Sequence, residues 1–310
     1  MDFTLSDDQR AIWDAARSFA EAELAPHSAR WDEDKHFPVD VLRKAAALGF
    51  AGIYVREDVG GSGLGRLDAS LIFEALSYGD VPVAAFISGA GTSDVYVVMA
   101  RTGGEGPKGV STFVVEKDAP GLSFGAPEKK MGWNAQPTAQ VNFDNVRVAT
   151  ENRVGAEGDG FRFAMMGLDG GRLNIASCSL GGAGFALETA KAYMETRNQF
   201  GRPLKDFQAL QFKIADMATE LDAARLMVRR AADALDKRDP EATKQAAMAK
   251  RFATDVGFTV ANEALQLHGG YGYLKDYPLE RIVRDLRVHQ ILEGTNEIMR
   301  VIIAREMFRQ

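Results

Sequence analysis

The sequence predicts a mainly α-helical chain with a small β segment in its middle and a four-helix bundle at its C-terminal end. Three observations carry that expectation. Residues 206–237 place Phe207, Leu210, Ile214, Met217, Leu221, Ala224, Val228, Ala231 and Leu235 at alternating spacings of three and four, the seam of a long helix packed lengthwise against others. Residues 86–150 carry β-branched runs broken by Gly and Pro instead. The 310 residues are 46% hydrophobic and 26% charged, an ordinary globular composition with apolar side chains enough for a large core and two or three domains.

In chain order, residues 6–24 read as a helix. Ser6 stands as N-cap with Gln9 three residues later, Ile12, Ala15, Ala16, Phe19 and Leu24 repeat near helical spacing, and Pro26 ends it. A second helix runs from Pro38 to Leu48 and stops at Gly49. Gly60, Gly61, Gly63 and Gly65 mark a loop, and Asp68 to Ser77 form the next helix. Strands follow at Val95 to Met99 and at Val110 to Val115, with Gly103-Gly104 and Gly106-Pro107 between them. Gln140 to Val148 alternates, with Val141 and Phe143 on one face, and gives a further strand. From Gly158 onward the pattern is helical. Gly184 lies inside that stretch, at about 1 kcal/mol relative to Ala. Asp239 and Pro240 are placed as N-cap and first residue of a helix that carries Ala246, Ala249, Ala253, Val256, Val260 and Leu267 inward and ends at Gly269-Gly270. Thr295 to Phe308 is the last helix. The expected domains are residues 1–85, 86–150 and 151–310.

Several function classes are disfavoured. A net charge of −6 with no basic stripe argues against a nucleic-acid partner. Cys178 is the one cysteine, so it has no partner for an internal disulfide and reads as a small buried side chain. The four histidines, His27, His36, His268 and His289, do not cluster at metal spacing, and no metal is expected. No run is long and apolar enough for membrane insertion, and the first residues lack the pattern of a signal peptide. These features suit a reducing compartment, a bacterial cytoplasm or, for a mature chain, the mitochondrial matrix. Neither a dinucleotide-binding Gly-x-Gly-x-x-Gly between strand and helix nor a P-loop occurs.

Glu293 follows Ile291-Leu292 and precedes Gly294 and a helix. A carboxylate on such an apolar-flanked turn can stand in a dry pocket, where burial raises its proton affinity and suits it to general-base work. It can equally complement the helix N-terminus. Arg197, in Arg-Asn-Gln-Phe-Gly, reads either as a phosphate ligand or as half of a surface ion pair. Gln266 to Tyr273 is a helix end entering a Gly-rich loop, open either to close ligand approach or to a plain C-cap.

Taken together, these segments and their order resemble the acyl-CoA dehydrogenase family. Arg197 to Gly201, Gln266 to Tyr273 and Ile291 to Ile298 are similar to its C-terminal domain. Leu168-Asp169-Gly170-Gly171-Arg172 resembles its substrate-proximal Asp-x-Gly-Arg, and Gly132-Trp133-Asn134 with Phe143 to Asn152 resembles its β domain. The Asp7–Gln9 helix start and the Gly60–Gly65 loop are similar to its first helical domain. The resemblance covers essentially the whole chain. Arg101 to Gly104 and Val288 to Gly294 are closest to the branch that acts on isobutyryl-CoA.

That resemblance implies FAD-dependent removal of two hydrogens from the α and β carbons of a short or branched acyl-CoA, with electrons passed on to an electron-transferring flavoprotein. Glu293 would take the α proton, its own N–H would polarise the thioester carbonyl, and the β hydrogen would pass as hydride to flavin N5. Asp169, Gly170, Gly171, Arg172 and Gly294 would lie near substrate. Arg197 and Gln208 would contact FAD. Gln266, Leu267, His268, Gly269 and Gly270 would reach a neighbouring subunit's FAD, which implies a homodimer or homotetramer. Thr295, Asn296 and Glu297 would line the cofactor, and Phe86, Ile87 and Ser88 would supply one wall for the ring.

The sequence also departs from the family pattern. Phe86-Ile87-Ser88 passes straight to Gly89-Ala90-Gly91, without the later helices of the first domain and without the family's Thr-Glu-Pro-Gly-Ser-Gly-Ser-Asp segment. This reads as an internal deletion between two similar short segments, truncating both the helical and the β domain and uncovering an edge or apolar face of the sheet. Ala149 stands where the family usually has Pro. A catalytically silent scaffold of the family and an acyl-CoA oxidase with the same base are the alternatives to a working dehydrogenase.

Overall fold

The computed structural model describes residues 4–88 and 94–308, of which Ser88 without its side chain. The Ser88 side chain and Gly89-Ala90-Gly91, both part of the expected ring wall and junction, lie outside the described residues.

The N-terminal third is helical: α1 (Asp7–Phe19), α2 (Ser28–Asp34), α3 (Val39–Ala47), α4 (Arg66–Ser77) and α5 (Val81–Ser88). Ser6 and Gln9 close α1 with the expected reciprocal capping box. The chain then widens into one π-helical turn, Ala20–Leu24. Gly79 packs there so closely that an added Cβ would stand 2.6 Å from the Ala20 carbonyl oxygen. Phe19, Leu24, Trp31, Phe50, Ile72, Phe73 and Leu76 form the core of this part, together with Ile175 and Cys178 from the C-terminal domain.

The expected boundary at residue 86 falls inside α5. The run from Val81 to Ile87 does not alternate, and Asp80 caps it by accepting the Val83 N–H at 2.8 Å, so these residues form a helix rather than a strand. Phe86 sits edge-on to Phe37 with ring centroids 4.8 Å apart.

The β segment starts at Val95. β1 (Val95–Arg101) pairs antiparallel with β2 (Val110–Glu116), Val98 opposite Phe113, and β2 pairs with β5 (Arg153–Val154). A separate ribbon joins β3 (Leu122–Phe124) to β4 (Val141–Phe143). The strand expected over 140–148 is thus shorter, because Asn145 adopts a left-handed φ of 51° and turns the chain away. Among the described residues β1 is an edge strand, and its outward face leaves Val95, Val97 and Met99 exposed at 45%, 62% and 42%. A sheet of this size normally covers such a face or charges it.

The C-terminal half is the bundle: α6 (Gly160–Thr196), a small hairpin of β6 (Asn198–Gln199) and β7 (Arg202–Pro203), then α7 (Gln208–Asp236), α8 (Ala242–Leu267), α9 (Leu279–Arg287) and α10 (Asn296–Met307). The three-four seam of α7 buries Met217, Leu221, Ala224, Val228 and Ala231 against α6 and α8. Helix α8 begins two residues later than expected. Asp239 accepts the Glu241 N–H on its side chain at 2.7 Å and the Ala242 N–H on its carbonyl at 3.0 Å, so Asp239-Pro240 form a turn ahead of the helix. Asp32 joins three parts of the molecule: from α2 it accepts hydrogen bonds from Arg284 of α9 at 2.6 Å and from Asn134 of the β segment at 2.8 Å.

Candidate active site

The site is built around a turn between α9 and α10. Val288–Gln290 makes one tight helical turn, and the chain then reverses through Glu293 and Gly294, both left-handed with φ of 56° and 87°. Glycine tolerates that conformation, but for a glutamate it costs roughly 1–2 kcal/mol, so the surroundings must hold it. They do so from two sides. His289, with no exposed surface, shares a 2.6 Å hydrogen bond between Nδ1 and Ser179 Oγ of α6. Burial pushes the His289 imidazole down to about 3, with the Lys250 charge acting the same way, so the ring is neutral. On the other side Lys250 of α8, also without exposed surface, donates to the Gly294 carbonyl at 2.8 Å and to Asn296 Oδ1 at 2.9 Å. Asn296 in turn donates from Nδ2 to Thr254 Oγ1 at 2.9 Å and to Asp255 Oδ1 at 2.8 Å.

The Glu293 carboxylate lies against α6. A Cβ added at Gly171 would run into its Oε2, so a larger residue there would push the carboxylate out of this position. One residue earlier, Gly170 makes the same allowance for the Arg66 guanidinium, which covers the Tyr54 ring at 3.7 Å. Burial raises the proton affinity of the Glu293 carboxyl, and the positive charges of Arg172 and then Lys250 draw it back. Among the described residues the Glu293 N–H has no acceptor.

The expected substrate-proximal residues are therefore brought together at one place: Gly170, Gly171 and Arg172 on α6 beside Glu293 and Gly294. Asp169 is spent otherwise. Its oxygens accept from Arg172 at 2.5 Å and from Thr243 at 2.8 Å, which anchors α6 to the start of α8.

The residues expected at the cofactor divide. Arg197, Gln266, Leu267, His268, Gly269 and Gly270 line one cavity of about 590 Å³, together with Gln199 and Lys213. Gly269 and Gly270 face open space, where an added Cβ would meet nothing within 4 Å. The Arg197 guanidinium, the side-chain amides and the uncovered glycine backbone suit an anionic ligand, and so fit the pyrophosphate-bearing end of FAD, while the Lys213 ammonium is already paired with Glu263. His268 lines this cavity as a packing residue, stacked on Tyr193 at 4.1 Å and bonded through Nδ1 to the Ala264 carbonyl at 2.9 Å. Gln208 is exposed at the start of α7 and is not part of the lining. Thr295 caps α10 by accepting the Ile298 N–H, Asn296 points inward to α8, and Glu297 is exposed. Phe86 and Ile87 end a helix instead of opening a strand.

Several residues of this arrangement escaped the sequence reading. Lys250 reads there as one more polar residue of α8, although it stands four residues after the inward Ala246, a signal that could have marked it. Ser179 carries no motif, and His289 lies in the Val288–Gly294 segment without any sign of the partner that orients it. Phe200 sits at the hairpin tip with φ of 53° and 91% exposure, next to the cavity-lining Gln199. An aromatic residue in the left-handed position just before Gly201 is legible as a turn tip.

Known proteins agree with this architecture. Family models described as the N-terminal, middle and C-terminal domains of acyl-CoA dehydrogenase match residues 6–108, 85–146 and 158–308. The mitochondrial isobutyryl-CoA dehydrogenases of Bos taurus and Dictyostelium discoideum are 46% and 47% identical, covering 99% and 98% of this chain and 90% of each relative. The bovine match runs over 375 positions although the chain has 310 residues, so that relative carries residues with no counterpart here. The structure of butyryl-CoA dehydrogenase from Megasphaera elsdenii superposes with a TM-score of 0.95 at 32% identity, covering 100% of both chains. By its three domain matches, its relatives and its fold, this chain belongs to the acyl-CoA dehydrogenase family.

Proposed function

We propose that this protein removes the α and β hydrogens of a short or branched acyl-CoA thioester, with Glu293 as the base. The observation that carries the reading is the Glu293 turn. A half-buried carboxylate is held against Gly171, its charge is supported by Arg172 and Lys250, and its own N–H is unpaired beside it. An α proton next to a thioester is too weakly acidic for a carboxylate unless the developing charge on the carbonyl oxygen is met by a donor. The free Glu293 N–H is a donor fixed to the same residue as the base. Because Glu293 is left-handed, its N–H and its side chain are set by one strained backbone unit.

FAD, when bound, supplies the acceptor for the β hydrogen. Arg197, Gln266, Gly269 and Gly270 would hold its pyrophosphate end. These residues cannot serve Glu293 of their own chain easily. Lys250, which touches the Glu293 turn, and Gln266 lie about 16 residues apart on the straight helix α8, roughly 24 Å at 1.5 Å per residue. That separation supports a homodimer or homotetramer in which one subunit's cavity serves its neighbour. An electron-transferring flavoprotein is the partner that the resemblance implies.

A second reading has its own support. The bovine relative is longer within the matched region, residues 81–88 form a helix where a ring wall was expected, and the outer face of β1 is bare. These features favour a folded scaffold whose turnover is slow.

One experiment separates the readings. The purified dehydrogenase is yellow, and its flavin bleaches when isobutyryl-CoA is added without oxygen. Glu293→Gln keeps the colour and slows bleaching by about 10²–10⁴-fold or more. Unchanged bleaching refutes the assignment of the base. A colourless protein that takes up no added FAD supports the scaffold, and fast re-oxidation in air with peroxide release identifies an oxidase.

A further inference from the structure

We propose that Lys250 is a positioning residue for the base: its ammonium ties the Glu293 turn to the first half of α8 and fixes where the Glu293 carboxylate and N–H stand. The inference rests on the reading of Glu293 given above.

A fully buried ammonium is expensive, because it leaves water and gains only what its neighbours return. Lys250 forms no ion pair among the described residues. It donates instead to two neutral acceptors, the Gly294 carbonyl and Asn296 Oδ1. Neither bond requires a charge to fill the space, and alanines occupy the neighbouring inward positions 246, 249 and 253. The charge therefore has to be explained by what lies just beyond the contacts.

Two features do so. The Gly294 carbonyl directly follows the strained, left-handed Glu293, and the Lys250 bond acts on that turn directly. Asn296 is oriented by the same donor. With Oδ1 turned to Lys250, its Nδ2 must face Thr254 and Asp255, so the start of α10 is locked to α8 in one register. The anions that act on Lys250 are Asp255, Glu293 and Glu297, opposed by Arg172, while Glu293 feels Arg172 and Lys250. Among the described residues, Lys250 is thus the one cation that both holds the turn by hydrogen bonds and supports the negative charge carried on it.

The test uses the apoprotein, so neither flavin nor turnover enters the readout. Protein labelled with ¹³C at the glutamate side-chain carboxyl is titrated by NMR, and the Glu293→Gln spectrum identifies the Glu293 signal. Lys250→Met removes the ammonium at similar length. The expected result is a rise of about tenfold in the proton affinity of Glu293, one pH unit, with faster amide exchange over residues 293–295. Lys250→Arg keeps the charge and restores most of the wild-type titration. A folded Lys250→Met protein in which Glu293 titrates as in the wild type overturns the proposal. If Lys250→Met does not fold, the coupling is read from the other side. By reciprocity Glu293→Gln lowers the proton affinity of Lys250 Nζ by the same factor, and an unchanged Lys250 titration overturns the proposal. Whether Glu293 is the base is decided separately, by the flavin bleaching of Glu293→Gln, so either idea can fail alone.

Discussion

Asp285 stands on α9 without exposed surface, one carboxyl oxygen accepting the Trp133 backbone N–H at 2.6 Å and the other without a partner. Burial pushes this carboxyl up to about 7. Arg281 and the Trp133 N–H pull it back, and Asp80 and Asp32 push the same way as burial. The sign of the consequence follows from proton counting. Between about pH 4, where an unfolded aspartate titrates, and about pH 7, the folded protein holds more protons than the unfolded chain. Stability contributed at this residue is therefore greatest at the acid end of that window and falls as pH rises, then levels off above about 7. Asp285→Asn keeps an acceptor for Trp133 and removes the titration. Its melting temperature, compared with the wild type at each pH, is expected to gain steadily on the wild type from pH 4 to pH 7. A constant difference across that range would show that Asp285 does not hold its proton in the fold. The same conflict between burial and charge explains why the residue was silent in the sequence. An aspartate two residues after an apolar pair, Ile282-Val283, carries no mark of what packs over it.

Among the elements, α6 shows most clearly how glycine can stabilise a helix. In an exposed helix, replacing Gly by Ala gains about 1 kcal/mol. In α6 the glycines are crossing points. A Cβ at Gly181 would enter the Glu74 carbonyl of α4, and one at Gly184 would enter the Tyr78 hydroxyl. Gly181→Ala is expected to destabilise by about 1–3 kcal/mol in denaturant titration, the cost of overpacking against backbone that cannot move aside. Gly184→Ala costs less, because a tyrosine side chain can swing. A gain in stability from Gly181→Ala would mean that α4 and α6 stand further apart. The comparison also shows what sequence patterns carry. The seam of α7 and the capping box of α1 were legible because each is a local repeat or a local pair. The cost of Gly184 was legible too, but its compensation depends on Tyr78, more than a hundred residues away. In the same way, Glu293 and the α6 glycines could be named as a site from their motifs. Phe86-Ile87 ending a helix follows from a local cap, Asp80, that the reading passed over, whereas Asn296 turning inward is settled by a tertiary partner, Lys250, that no spacing reveals.

At the scale of the whole molecule, the arrangement argues for a site assembled between subunits. The proposed base, Glu293, stands on a turn that Lys250 ties to the first half of α8. The cavity proposed to bind the anionic part of FAD stands at the C-terminal end of that helix, lined by Gln199 next to the exposed Phe200. A rigid helix fixes both, so no bending within one chain brings them together. If each flavin is shared, a chain with a defective cavity and a chain with a defective base repair one another. Arg197→Ala leaves Glu293 intact, and Glu293→Gln leaves the cavity intact. In a mixed dimer of the two, one of the two composite sites contains only native residues, and the other contains both defects. Each variant alone is expected to show almost no bleaching with isobutyryl-CoA. Random co-assembly from equal amounts gives mixed dimers in half of the population, with one good site each, or about a quarter of the wild-type bleaching amplitude. Mixing the two proteins after each has assembled serves as the control, and bleaching should appear there only as fast as subunits exchange. Co-assembled protein that stays as inactive as its parents would place the base and the cavity of one chain at the same flavin. The straight helix between them could not then be the measure of the site.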